Sequence, residues 1–171
     1  YGTRILADMG ANVLRVEAPS RPDMIRIMPP FDEQGLSAAH GSLNRNKNSI
    51  VVDLKTPEGV LIIKKLIETY DIIVEQFRPS VMSRLGLGYE DLKKINPRLI
   101  YCAVTGYGQK GVYKNRAGHD LNYLAIAGIL DYTGRKTTGP MPLPIQAADI
   151  TGGLYAVTGI LAAVIHRQAT N

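Results

Sequence analysis

Ser49-Ile50-Val51-Val52-Asp53-Leu54, then Thr56-Pro57-Glu58, then Asp71-Ile72-Ile73-Val74-Glu75 are the stretches that decide the fold. The first is β-branched and apolar without alternation, as a strand covered on both faces of a parallel sheet would be. Thr56 is a natural N-cap, Pro57 fits the first helical position and Glu58 places an acid in the first turn. Ile63, Leu66, Ile67 and Tyr70 then recur at helical spacing, with Lys64, Lys65 and Glu68 on another face. Residues 71–75 form a second apolar strand, so the segment reads as a βαβ unit with a right-handed crossover.

Working outward, the same alternation continues. Asn12-Val13-Leu14-Arg15-Val16-Glu17 reads as a strand stopped by Pro19, and Arg98 to Thr105 as another. Tyr89 to Ile95 is a short helix ended by Asn96-Pro97, and residues 21–43 are loop-rich, with Pro22, Pro29, Pro30 and Gly35 as breakers. From Gly106 the character changes to a glycine loop, a helix over 121–130, an extended connector over 131–147 and a last helix over about 150–168. Gly153, Ala156, Gly159 and Ala163 give that helix a small-residue stripe that lets another backbone come close. The expectation is α/β: a parallel, doubly wound, Rossmann-like sheet flanked by helices.

Composition narrows the class. The chain has 171 residues, 45% hydrophobic and 20% charged, which is the balance of a soluble globular domain. The uncharged run Ile150–Ile165 is shorter than a membrane span needs and reads as a buried core helix. A single Cys102 excludes an internal disulfide or a CxxC metal site and favours a reducing compartment; within Leu99–Val104 it reads as a small buried residue. The formal charge of +5 is scattered over Arg15, Arg21, Arg26, Arg45, Lys47 and Lys55. That suits a polyanionic small molecule better than nucleic acid, whose binders carry denser basic stripes.

Two titratable residues stand out. His119 lies in Gly118-His119-Asp120-Leu121-Asn122-Tyr123, and Asp149 in Ala147-Ala148-Asp149-Ile150-Thr151-Gly152-Gly153. Each precedes an apolar helical stretch. Taken singly, His119 is a helix-start residue bonded locally and Asp149 an N-cap. Taken together, they are an imidazole and a carboxylate at two helix mouths, where free N–H groups can stabilise an oxyanion. Such a pair can take a proton from one face of a carbon and return one to the other.

Other candidates are weaker. Gly106-x-Gly108-x-x-Gly111 follows a strand but opens no apolar helix, and no acid closes a following strand, so it is no dinucleotide fingerprint. There is no phosphate-binding Walker loop, and Asp131 is too isolated for a metal cluster. His40 lies in a loop, and His166 near the end of the last helix.

The chain resembles CoA-transferase family III, the CaiB/BaiF type, and within it the α-methylacyl-CoA racemase branch. The strings that carry the resemblance include Ala7–Val13, Asn44-Arg45-Asn46-Lys47, Asp53–Gly59, Phe77-Arg78-Pro79, Arg84–Tyr89, Asn96–Tyr101 and Gly106-Tyr107-Gly108-Gln109. The family's aspartate falls on Asp149, and the racemase branch adds the histidine of a Gly-His-Asp-x-Asn-Tyr string, here His119. Two places depart from the family pattern: Asn46 and Asn48 stand where many relatives have Gly and a basic residue, and Ile150-Thr151 replaces Phe-Gly or Phe-Ala.

The resemblance implies a racemase or epimerase of 2-methylacyl-CoA thioesters in fatty acid metabolism, with His119 and Asp149 as catalytic bases. Asp120, Gly118 and Tyr123 would support them, Asp120 by holding the imidazole. Arg15, Lys55 and Arg84 would lie near the CoA phosphates. CoA is then a substrate, and neither cofactor nor metal is expected. Two alternatives stay open: a family III CoA-transferase with Asp149 as nucleophile, and a truncated relative that binds acyl-CoA without turnover. Both ends read as interrupted, so residues 1–171 are expected to be the N-terminal part of a large CoA-binding α/β domain, with a smaller domain and C-terminal part beyond it. The resemblance further implies an interlocked homodimer, no nucleic acid and no membrane span. The location expected is cytoplasmic in a bacterium and mitochondrial or peroxisomal in a eukaryote, not secreted.

Overall fold

The structure, a computed structural model, describes residues 1–170. In chain order the elements are α1 (Gly2–Asp8), β1 (Val13–Glu17), α2 (Ala38–Asn44), β2 (Lys47–Val51), α3 (Pro57–Ile67), β3 (Ile72–Glu75), α4 (Val81–Arg84), α5 (Tyr89–Leu92), β4 (Ile100–Ala103), α6 (Asp120–Ile126), β5 (Gly134–Arg135), β6 (Gly139–Pro140) and α7 (Ala147–Ala169). This is an α/β arrangement of helices with two parallel strand pairs and, in β5 and β6, one short antiparallel pair, α/β as the alternation predicts.

The pairing differs from the simplest reading. β2, α3 and β3 follow one another as a strand, a helix and a strand, yet β2 and β3 do not pair with each other. β1 pairs in parallel with β2 (Val13 opposite Lys47, Glu17 opposite Val51), and β3 in parallel with β4 (Ile72 opposite Ile100). Apolar runs announce strands, but which strand neighbours which is settled by packing. The segment read as loop also contains structure: a short 3-10 turn at Met24–Ile27 and α2, whose N-cap Ser37 accepts the His40 N–H at 3.3 Å. His40 is therefore helical.

α3 forms as its start signal requires. The Thr56 hydroxyl accepts the Gly59 N–H at 3.1 Å, and Pro57 occupies the first turn. Gly59 is required there, because a Cβ would lie 1.9 Å from the Asp53 carbonyl oxygen. The buried face of α3, Ile63 and Ile67, meets Met82, Leu87, Leu92 and Leu99 in one apolar cluster. Leu87 and Leu92 have no exposed surface, and each stabilises the fold by roughly 2 kcal/mol through burial. Asn96, foreseen as the end of a helix, also closes α3 from a distance: its side-chain amide donates to the Ile67 and Tyr70 carbonyls at 3.1 and 3.2 Å.

α7 begins three residues earlier than its apolar run suggests, and it is not a buried core helix. Only Val157 and Ile160 are buried along it, while Tyr155 and Ile165 are 77% and 66% exposed. By length and composition it could cross a membrane. It is nevertheless docked on the domain, packing against α1, α6 and β4. Of the small-residue stripe, Gly153 makes the close approach: a Cβ on Gly2 of α1 would lie 2.6 Å from the Gly153 carbonyl oxygen. At Gly159 nothing comes within 4 Å of such a Cβ.

The segments following each strand's carboxyl end carry the candidate chemistry. Lys55 follows β2, Arg84 follows β3, and the Gly106 loop leading to His119 follows β4. Ligands of open α/β sheets bind outside the carboxyl ends of strands.

Candidate active site

His119 is the N-cap of α6, with extended backbone at φ −130°. Asn122, one turn on, accepts the His119 N–H at 3.0 Å and fixes the entry into the helix. Tyr123 locks the same corner. Its hydroxyl donates to the Gly118 carbonyl at 2.7 Å, and its ring stacks edge-on against Tyr107, with centroids 5.0 Å apart. Gly106 and Gly118 are small because that ring is there: a Cβ on Gly106 would fall 2.1 Å from the Tyr123 hydroxyl, and one on Gly118 2.7 Å from its ring. The glycine loop after β4 is thus a seat for Tyr123. That role has no string signature, although the glycine spacing first drew attention as a nucleotide motif.

Asp149 lies in the first turn of α7, with Gln146 as N-cap, and so is not itself the cap. The cap comes from α6. Asp120 Oδ1 accepts the Ala148 N–H at 2.6 Å and the Asp149 N–H at 3.4 Å. This corrects two expectations. The recorded hydrogen bonds of Asp120 run to the backbone of α7, not to the His119 imidazole. The helix-start N–H groups proposed to hold an oxyanion are, at Ala148 and Asp149, already engaged by a carboxylate.

The arrangement brings Asp120 and His119 into the electrostatic surroundings of Asp149. Partial burial pushes the Asp149 carboxyl above the usual aspartate range, the Asp120 charge pushes the same way, and His119 opposes both. Burial also raises Tyr123, aided by Tyr107 and by the Asp149 charge. His119 and Asp149 side chains are both exposed. Burial and the Asp120 charge thus both favour the protonated form of the Asp149 carboxyl.

The three basic residues expected at the phosphates separate. Arg15, on β1, is absorbed into an ion-pair cluster: it donates to Glu17 at 2.9 Å and to Asp23, and its guanidinium lies 3.0 Å from the His40 ring nitrogen. Glu17, buried at the end of β1, accepts two bonds from Arg26 at 3.0 and 2.6 Å and one from the Ser49 hydroxyl at 3.0 Å. Hydrogen bonding to Arg26 leads the causes that hold its carboxyl down at about 2. Lys55 and Arg84, by contrast, line one groove of about 470 Å³ at the start of α3.

The departure at Asn46 has a local cause. Its φ of +60° is left-handed, the conformation for which Gly is the usual choice and Asn the commonest substitute. Its side chain donates to Asp8 Oδ1 at 2.9 Å, beside the two bonds that Asp8 receives from Arg45. Cys102 is half-buried, and burial raises its thiol. Among the described residues no His, Cys, Asp and Glu side chains cluster as a metal site would need.

Comparison with known proteins agrees with the resemblance read from the strings. The model of CoA-transferase family III matches residues 1–171. Succinate–glutarate CoA-transferase of Agrobacterium fabrum is 44% identical over 172 residues, covering 97% of this chain and 43% of that protein. Human alpha-methylacyl-CoA racemase is 41% identical over 168 residues, covering 97% of this chain and 40% of its own length. A solved CAIB/BAIF family protein from Brucella suis superposes with a TM-score of 0.93 at 38% identity, covering 99% of this chain and 46% of that one. The chain therefore spans less than half the length of these relatives.

Proposed function

The chain belongs to CoA-transferase family III, and from that premise we propose that the full-length protein racemises or epimerises 2-methylacyl-CoA thioesters. The observation that carries this reading is the joint placement of His119 and Asp149 at the starts of α6 and α7, with Asp120 bonded across the two helices. In one direction the Asp149 carboxylate takes the α-proton, leaving a thioester enolate, and the His119 imidazolium delivers a proton to the opposite face. In the reverse direction neutral imidazole takes the proton and the Asp149 carboxylic acid returns one. Each positioned acid–base group contributes about 10²–10⁴-fold. The chain's own part is to hold the two groups and to tune the carboxyl upward.

A second reading is favoured by a specific observation: a CoA-transferase, at 44% identity, is more similar to this chain than the racemase at 41%. Asp149 would then attack the thioester carbonyl, expelling the CoA thiolate and forming a mixed anhydride. His119 would have no necessary part.

One experiment separates them. Full-length enzyme is given one enantiomer of a 2-methylacyl-CoA in D₂O without an acceptor acid. Proton abstraction and return wash deuterium into the α-position, and His119→Ala abolishes that exchange while leaving acyl-CoA binding within a few-fold. If no α-deuterium appears and hydroxylamine traps an acyl group on Asp149, the transferase reading replaces the racemase.

A further inference from the structure

Glu75 closes β3 at the carboxyl end of its strand pair, and neither the sequence strings nor the reaction above gives it a part. Among the described residues Glu17 and Glu75 are the buried carboxylates, and they are held differently. Glu17 is neutralised by Arg15 and Arg26. None of the ion pairs of the described residues involves Glu75. Its Oε2 accepts the Phe77 N–H at 2.7 Å, and the Tyr101 hydroxyl donates to Oε1 at 3.5 Å, the outer limit of such a bond. Burial raises its pKa against the pull of those two bonds. A carboxylate buried without a cation is costly, so the short bond to the Phe77 backbone is its principal compensation.

That bond is the first of a series that pins the backbone from β3 to α4. The Glu75 carbonyl accepts the Val104 N–H at 2.8 Å, which fastens the residue itself to the end of β4. Further on, the Arg78 carbonyl accepts the Val81 N–H and the Ser80 carbonyl the Arg84 N–H, each at 3.1 Å. Ser80 has a left-handed φ of +69°, which a residue other than glycine keeps only where its surroundings fix it. Gln76, Phe77 and Arg78 are exposed on this turn. The turn then runs into α4, whose last residue, Arg84, lines the groove with Lys55. It thus lies where ligands of open α/β sheets bind, and its path sets the point from which the Arg84 side chain departs.

We propose that Glu75 is a positioning residue of the thioester site: its carboxylate fixes the Phe77 N–H, and through that bond the turn between β3 and α4 and the place of Arg84. In a buried corner such a bond meets little competition from water, so it holds the turn in one conformation before ligand arrives. What the role needs is an acceptor at a fixed point. An amide carbonyl of the same reach supplies one, and an apolar chain of the same reach does not. The proposal rests on the CoA-thioester reading.

The test compares Glu75→Met, unbranched but without an oxygen acceptor, with Glu75→Gln, which keeps one. Two measurements are made on the full-length protein: hydrogen exchange of the Phe77 amide and isothermal titration with CoA. In Glu75→Met the Phe77 amide should exchange about tenfold faster and CoA should bind about tenfold more weakly, with the Leu87 and Leu92 amides as protected as before. Glu75→Gln should stay within about threefold of wild type in both measurements. Unchanged exchange at Phe77 in Glu75→Met, faster exchange there with unchanged CoA binding, or a Gln variant as impaired as the Met variant overturns the positioning role and leaves the CoA reading standing. Loss of protection at Leu87 and Leu92 does the same, because Glu75 would then serve the core. Wild-type protein that does not bind CoA overturns both.

Discussion

Asp120 Oδ1 accepts the backbone N–H of Ala148 at 2.6 Å, so the residue that follows one candidate base caps the helix that carries the other. The two helices are thereby joined at their mouths, and the charge of the carboxylate doing so adds to burial in raising the pKa of Asp149.

Asp120→Asn keeps an acceptor for the Ala148 N–H and removes the charge. The Asp120 charge adds to burial in raising Asp149, so its loss lets the Asp149 pKa fall. The acidic limb of the pH profile of kcat/KM should shift to lower pH, with thermal stability nearly unchanged. Asp120→Ala should in addition cost about 1 kcal/mol as a lost cap. An unmoved acidic limb in Asp120→Asn would detach Asp120 from the tuning of Asp149.

Gly106→Ala places a methyl group where the Tyr123 hydroxyl lies. Displacing that ring should cost about 1–3 kcal/mol by overpacking and disturb the entry to α6. Tyr123→Phe removes only the bond to the Gly118 carbonyl and should cost about 1 kcal/mol. Chemical denaturation of both variants gives the comparison; equal and small effects would mean the glycine loop does not support α6.

Glu17 is held at about 2, against an ordinary value of 4.5. A depressed carboxylate contributes stability that is full above the ordinary value and disappears as pH falls through the depressed one. Acid unfolding should therefore steepen between about pH 4.5 and pH 2. Glu17→Gln should flatten that stretch of the stability profile and lower stability by about 3 kcal/mol at neutral pH, because it leaves Arg15 and Arg26 without their shared partner. A profile with unaltered slope in the variant would assign the acid sensitivity elsewhere.

Lys55→Ala and Arg84→Ala should raise KM for CoA esters by about tenfold each with kcat within about twofold, because a nucleotide anchor is touched equally in the ground and transition states. Arg15→Ala should act instead through stability, since its guanidinium is spent on Glu17 and Asp23. Steady-state kinetics beside thermal melts separates the two behaviours.

How far the sequence was readable depended on whether a signal was local. The Thr56-Pro57-Glu58 start gave α3 within a residue, because its cap lies within the same four residues. His119 as the residue opening α6 was legible for the same reason. α7 was placed too late because its cap is Asp120, which is distant in the chain and close only after folding. The partners of Arg15 include Glu17 two residues on, yet nothing in the string says that Arg26 and Ser49 converge on the same carboxylate. Strand existence was plain from β-branched runs, whereas the choice of β1 with β2 and β3 with β4 carries no local mark in the chain.

The crossing of α1 and α7 at Gly2 and Gly153 bears on the order of events during folding. These two residues stand almost the whole chain apart, so their meeting closes the largest loop the chain contains and carries the greatest entropic delay. The apolar cluster around Leu87 and Leu92 draws on neighbours much closer in sequence. Asp149 lies one helical turn before Gly153, so the candidate carboxylate reaches its place only when this late clasp shuts. Recovery of function on refolding should lag behind recovery of the core, and a bulkier residue at either glycine should slow the last step while leaving the first untouched.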